Sequence, residues 1–432
     1  MTQRILFMLC ILFGIRTSCF PSEAQDVLTS DIINIRTFGA VGDGEHLDTA
    51  AIQRALDACG KQGGGTVVFP ADTYLSGALF IKGDHVILQF DEGATLKGST
   101  DVSDYPQIDT RFEGTERKYA AALLNGRDLR DITLTGSGTI DGSGDPWWKA
   151  YNARRSGQTV EGYELETRPR LICLYECRDV LVEKLTLKNP AFWNLHFVYC
   201  ENVRAEYLTI RAPRGALSSD GIDVDSCRHV LIRRCDIACD DDCISVKSGR
   251  DADGLCVNRP SEYIVIRDCS LGPAGCMVSM GSETAGGIRH VLVENCTGRD
   301  ARNGLRLKTA PGRGGTVEDI TYRNITFEDM LYCIVFNMRW GTSRWPNDEY
   351  PPEAVPVFRD IRVIDVVGSG QRAGLLQGLD ESPLQNIQFK NVKITADTGM
   401  RVRNAPGIDL SGLMLEVKEG EPFIELNEQT RH

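Results

Sequence analysis

Positive charge is what this chain is short of. Its 48 Lys and Arg face 60 Asp and Glu, leaving a net charge of −12. Binding to nucleic acid rests on neutralising phosphates, so that partner is argued against. An acidic protein can still hold a local basic pocket, so an anionic sugar remains open as a ligand. Past residue 25 the sequence lacks an apolar run long enough to span a bilayer, which takes about 20 residues. It also lacks cysteine pairs with zinc spacing, and neither a metal nor a cofactor is expected. No linker interrupts the chain, so residues 25–432 are expected to form one domain, in a monomeric protein.

What is present begins with a processing segment. Residues 1–4 carry a positive charge, residues 5–15 are apolar, and Ser22-Glu23-Ala24 places small residues at −3 and −1 of a cut before Gln25. This pattern predicts a signal peptide over residues 1–24 and an exported protein, periplasmic or extracellular. Cys19 leaves a lipid-anchored alternative, weakened by Arg16 where a branched apolar residue is usual.

Of 15 cysteines, Cys10 and Cys19 fall in that leader, leaving an odd 13. Export permits disulfides. Yet Cys177, Cys200 and Cys227, then Cys235, Cys269 and Cys296, recur at equivalent places, which suggests small apolar residues stacked in a core. Cys239 and Cys243 are read as packing too.

Short apolar–turn–apolar units repeat along the chain. Taking Leu185, Leu208, Cys235, Cys269, Cys296 and Ile325 as equivalents gives steps of 23, 27, 34, 27 and 29. Each unit reads as short strands rich in Val, Ile and Thr. Asp268, Asn295, Asn324 and Asn391 recur just before a second strand, as turn residues that tolerate unusual φ. Strand-like composition excludes a helical solenoid, and propeller blades are longer. The fit is an all-β, right-handed parallel β-helix with a short N-terminal capping helix. Residues 48–59 supply that helix, with Asp48 as the cap and Ile52 and Leu56 on one stripe. Residues 142–170 and 338–357 break the repeat and read as long loops.

Within this frame two acidic clusters stand 21 residues apart, from Asp220 to Asp241, close to one coil. They are Ser218-Ser219-Asp220-Gly221-Ile222-Asp223 and Cys239-Asp240-Asp241-Asp242-Cys243. One coil apart, their carboxylates converge on one face. Each then raises the proton affinity of the others. Carboxylates with split pKa values are the equipment for cleaving a glycosidic bond. A calcium site or a solvated acidic turn is the alternative for a single cluster; the second cluster argues against it.

The chain resembles glycoside hydrolase family 28, the polygalacturonases. The likeness runs through Phe38-Gly-Ala-Val-Gly-Asp-Gly44, Gly64-Gly-Thr-Val-Val-Phe-Pro70, Gly136-Ser-Gly-Thr-Ile-Asp-Gly142 and Asn189-Pro-Ala-Phe-Trp-Asn-Leu-His196. The family's Asn-Thr-Asp-Gly stands here as Ser218-Ser219-Asp220-Gly221, its Gly-Asp-Asp-Cys as Asp240-Asp241-Asp242-Cys243, and its Arg-Ile-Lys as Arg306-Leu307-Lys308. The resemblance implies Asp241 as general acid, with Asp220 and Asp242 activating water, in an inverting single displacement on α-linked galacturonic acid in pectin. Arg306 and Lys308 either clamp a substrate carboxylate or neutralise the aspartates. His196, Asp223 and Glu283 are further candidates for substrate binding; for His196 a structural hydrogen bond is the equal alternative. Trp147, Trp148, Trp340 and Trp345 either stack on sugars or anchor their own loops.

The family's Gly-His-Gly is altered to Gly275-Cys276-Met277. Cysteine is a weak hydrogen-bond partner, which puts the substrate in question more than the reaction. The two long segments favour attack at a chain end. The alternatives are a rhamnogalacturonan or other side-chain hydrolase, a β-eliminating lyase on the same fold, and a non-catalytic glycan-binding β-helix.

Overall fold

In the computed structural model the apolar residues of the repeat stack in columns. Val230, Ile264, Val291, Ile320, Ile361 and Ile387 pair in register, one per coil, and all are buried. Burying each such side chain contributes about 1.5–3 kcal/mol. The column is what makes successive coils align, because a one-residue slip would turn every apolar side chain outward. The structure describes residues 32–163, 167–341 and 349–426. The expected leader at 1–24 and Trp345 lie outside them.

Among the described residues, thirty strands join into one continuous parallel ladder, a right-handed parallel β-helix. The register reproduces the repeat read from sequence. Cys235, Cys269, Cys296 and Ile325 fall at matching places on four successive coils. Asp268, Asn295, Asn324 and Asn391 all hold positive φ, between 50° and 56°. Their side chains also bond along the helix axis: Asn295 donates to Asp268 at 3.2 Å and Asn324 to Asn295 at 2.8 Å. The thirteen cysteines among the described residues are free, and all but Cys256 are buried.

Helix α1, Thr49–Lys61, buries Ala51, Ile52, Ala55, Leu56 and Cys59 against the first coils. Asp48 precedes it but does not cap it with its side chain. Its carboxylate instead accepts from the Val41 and Gly42 amides at 2.7 and 3.0 Å. The tight turn at Gly42 outcompetes the helix end for those oxygens. The stretch 142–170 is not simply a loop: it contains helix α2, Asp145–Arg155, begun by Pro146 in its first turn. A short helix α3, Asp251–Val257, follows the second acidic cluster.

The strands Gln107–Phe112 and Thr115–Ala120 form an antiparallel hairpin outside the ladder. Glu116 ties it to two successive coils, accepting from Tyr199 at 2.6 Å and Tyr175 at 3.0 Å. At its tip Gly114 has φ +76°, and a Cβ there would stand 2.8 Å from Glu283 Cγ and 2.9 Å from Arg250 Cβ. Only glycine lets the hairpin reach the acidic face this closely.

Candidate active site

Parallel register gathers the acidic clusters. His196, Asp223, Ser245, Ser279 and Arg306 occupy one column on five successive coils. Asp242, Cys276 and Asn303 form a second column, and Asp225 and Lys247 pair in a third. The Gly221 amide donates to the Asp242 carbonyl at 2.9 Å, which sets Asp220 one coil from Asp241 and Asp242.

Charge then distinguishes the carboxyls. Asp242 is fully buried, and burial alone would raise its pKa. Arg306 and Lys308 overturn this: Arg306 bonds one oxygen and Lys308 Nζ donates to the other at 3.0 Å. Asp242 is therefore held well below the carboxylate range. Asp241, its sequence neighbour, is half-buried. Its pKa is raised by burial and by the charge of Asp242. The two neighbours are pushed in opposite directions, the kind of split that acid–base cleavage uses.

Lys247 organises the rest. Its Nζ lies 3.7 Å from Asp220, 3.4 Å from Asp223 and 3.7 Å from Glu283. It also lies 4.6 Å from the Trp193 ring. Burial pushes Asp220 well up, with Asp223 and Asp241 adding to it. Burial likewise pushes Asp223 up to about 7. Burial works the same way on Glu283, but Lys247, Arg313 and Arg250 together bring it down to about 2.

His196 is fully buried. Its Nδ1 lies 2.9 Å from Arg170 and its Nε2 3.7 Å from Asp225, and burial lowers its pKa to about 4. Neutral, it accepts from Arg170 at Nδ1. Asp225 in turn faces Arg111 of the hairpin at 3.3 Å. Trp340 is 41% exposed and lies over Arg306 and Lys308, at 5.2 and 5.5 Å. Trp147 and Trp148 are buried and donate to the carbonyls of Thr167 and Pro190, so they anchor their own segment. Among the described residues no cluster of His, Cys, Asp and Glu has the form of a metal site. A groove of about 650 Å³ beside α3, lined by Leu255, Cys256, Arg289 and Glu353 among others, contains none of these site residues.

The sequence model for glycosyl hydrolases family 28 matches residues 59–412. The chain belongs to this family. A probable polygalacturonase of Vitis vinifera is 35% identical over 397 residues, covering 88% of this chain and 79% of its own. An exo-poly-α-D-galacturonosidase of Dickeya chrysanthemi is 28% identical over 378 residues, covering 78% of this chain and 62% of its own. Among solved structures, a hyperthermoactive exopolygalacturonase from Thermotoga maritima aligns with a TM-score of 0.75 at 29% identity, covering 89% of this chain and 91% of that one.

This family 28 hydrolase thus brings together Asp220, Asp223, Asp241, Asp242, Glu283, Arg306 and Lys308, and sets His196, fully buried, one coil from Asp223. Cys276, in the altered motif, is buried beside Arg306 and bonds only backbone carbonyls, of Val278 at 3.4 Å and Gly304 at 3.6 Å. Burial raises its thiol to about 12, so it stays a neutral filler. Sequence reasoning missed Lys247, although it stands only four residues past the second acidic cluster. It missed the hairpin as well, which no repeat announces.

Proposed function

We propose that this glycoside hydrolase is exported and removes galacturonic acid from the ends of α-linked galacturonan chains in pectin, with inversion. Asp241 donates the proton to the leaving oxygen. Asp242, kept ionised by Arg306 and Lys308, activates the water, with Asp220 beside it. The observation that carries this reading is Asp242 bonded by two cations beside Asp241, the half-exposed carboxyl of the cluster, with the two pushed in opposite directions. An inverting enzyme needs one protonated and one ionised carboxyl on opposite sides of the bond. Arg306 and Lys308 also present the positive charge a uronate carboxylate needs, and Trp340 above them offers a ring face for the sugar. Asp223, Glu283 and His196 complete the binding face, His196 one coil from Asp223.

End-attack is supported by the hairpin whose tip packs against Glu283 and Arg250, since a wall there limits how far a chain extends. The exo-acting relatives from Dickeya chrysanthemi and Thermotoga maritima support it as well. Export rests on the leader pattern in residues 1–24; no described helix is long and apolar enough to cross a membrane. Chromatography of products from polygalacturonan tests the mode of attack. Galacturonic acid alone from the first minutes is expected, and a ladder of oligomers would refute end-attack. Cys276 favours a second reading, a different pectic linkage such as that of rhamnogalacturonan, for which release from that polymer alone is the signature.

A further inference from the structure

Arg168 and Arg170 are two buried arginines near the site, and Arg170 is turned to the Arg111 carbonyl, His196 and Thr110; Arg168 is placed differently. It is 2% exposed, and no carboxylate pairs with it among the described residues. Its Nε donates to the Ala191 carbonyl at 2.9 Å and its Nη2 to the Leu217 carbonyl. Its Nη1 is buried without a hydrogen-bond partner. The guanidinium lies against two rings, Tyr151 at 4.4 Å and Phe192 at 4.9 Å. A guanidinium so fixed has its plane and free edge set in advance, the arrangement that receives a carboxylate with least loss of freedom. Burial disfavours the cation and lowers its pKa, against the smaller opposing pull of the negative groups around it.

Its place is at the edge of the site. Phe192 stacks on Trp193 at 4.8 Å, and Trp193 carries Lys247. Leu217, which holds Nη2, precedes Asp220 by three residues. The charges of Glu113, on the hairpin tip, and of Asp220 both act on Arg168. The cation therefore sits between the hairpin and the acidic cluster, on the Asp220 side. Of the rings against it, Phe192 is buried and Tyr151 of α2 half-buried, so the Tyr151 side is the more open one.

We infer that Arg168 forms a second carboxylate subsite, which binds a uronate residue neighbouring the one held at Arg306 and Lys308. This inference rests on the galacturonan reading and extends it: the enzyme recognises two successive acidic sugars, each through its own cation.

The test compares the KM of the wild type and Arg168→Gln on digalacturonate and trigalacturonate. A lost charge-assisted hydrogen bond predicts a KM about ten- to a hundredfold higher, with kcat within about threefold. Arg168→Lys, which keeps the charge but not the fork, should fall between. Should Arg168→Gln fail to fold, the wild type still decides the matter. Methyl esterification of the ligand's second carboxyl removes the same charge from the other side and should raise KM similarly. Galacturonide hydrolysis with a KM indifferent to that ester, or an Arg168→Gln variant altered in kcat alone, would overturn the inference while leaving the function intact. A wild type that cleaves no galacturonide would overturn both.

Discussion

Lys308 Nζ donates to Oδ2 of Asp242 at 3.0 Å, while Arg306 holds the other oxygen of the same carboxylate. Two cations on one buried carboxylate keep it charged in a place where burial alone would protonate it. Lys308→Met removes one of them. The acid limb of kcat/KM against pH should move up by about one unit, because the base is lost at a higher pH. A pH–rate profile checks this. An unmoved limb with a raised KM would mean that Lys308 serves the substrate only.

Lys247 is the shared counter-ion of Asp220, Asp223 and Glu283. Removing one member of a buried ionic cluster strands the others. Lys247→Met should therefore lose about 3–5 kcal/mol of stability. Lys247→Arg, which keeps the charge, should lose less. Urea titration of both variants at neutral pH reads the difference; equal stability of wild type and Lys247→Met would contradict the assignment.

His196 is held neutral, with its pKa lowered from 6.5 to about 4 by burial. The unfolded chain binds a proton there below about 6.5 and the folded one only below about 4. Stability from this group is therefore complete above pH 6.5 and falls as pH drops towards 4, by about 3 kcal/mol in all. His196→Gln should flatten stability against pH in that window. The same slope in the variant would place the acid lability elsewhere.

Trp340 covers Arg306 and Lys308 from the solvent side. Exposed as it is, Trp340→Ala should leave stability within about 0.5 kcal/mol. KM for galacturonan should rise about five- to tenfold, which corresponds to about 1–1.4 kcal/mol. Initial-rate kinetics with a melting curve separate the two effects; a large fall in Tm with unchanged KM would make Trp340 a packing residue.

The coil architecture was readable because a β-helix writes its register into the sequence. Cys235, Cys269, Cys296 and Ile325 stack where their spacing placed them, and the Asn and Asp turn residues adopt the positive φ that their side chains tolerate. The acidic face was readable for the same reason, since Asp220 and Asp241 differ by one coil. What escaped lacks periodicity. The hairpin of residues 107–120 pairs with itself and repeats nothing. Helix α2 was hidden because its residues Asp145-Pro-Trp-Trp-Lys-Ala-Tyr-Asn-Ala-Arg-Arg155 show no clean apolar stripe. Lys247 and Arg168 belong to the site through long-range packing, which local pattern does not record. Asp48 was read as a cap, yet the loop at Val41 and Gly42 claims its oxygens.

In the proposed mechanism Asp241 delivers the proton that cleaves the galacturonan bond. The measurement is release of galacturonic acid from polygalacturonan by wild type and Asp241→Asn, with folding of the variant checked by its Tm. General-acid catalysis is worth about 10²–10⁴ in rate, so the folded variant should fall by that factor while the wild type yields galacturonic acid. A folded Asp241→Asn that releases it at the wild-type rate would contradict the account.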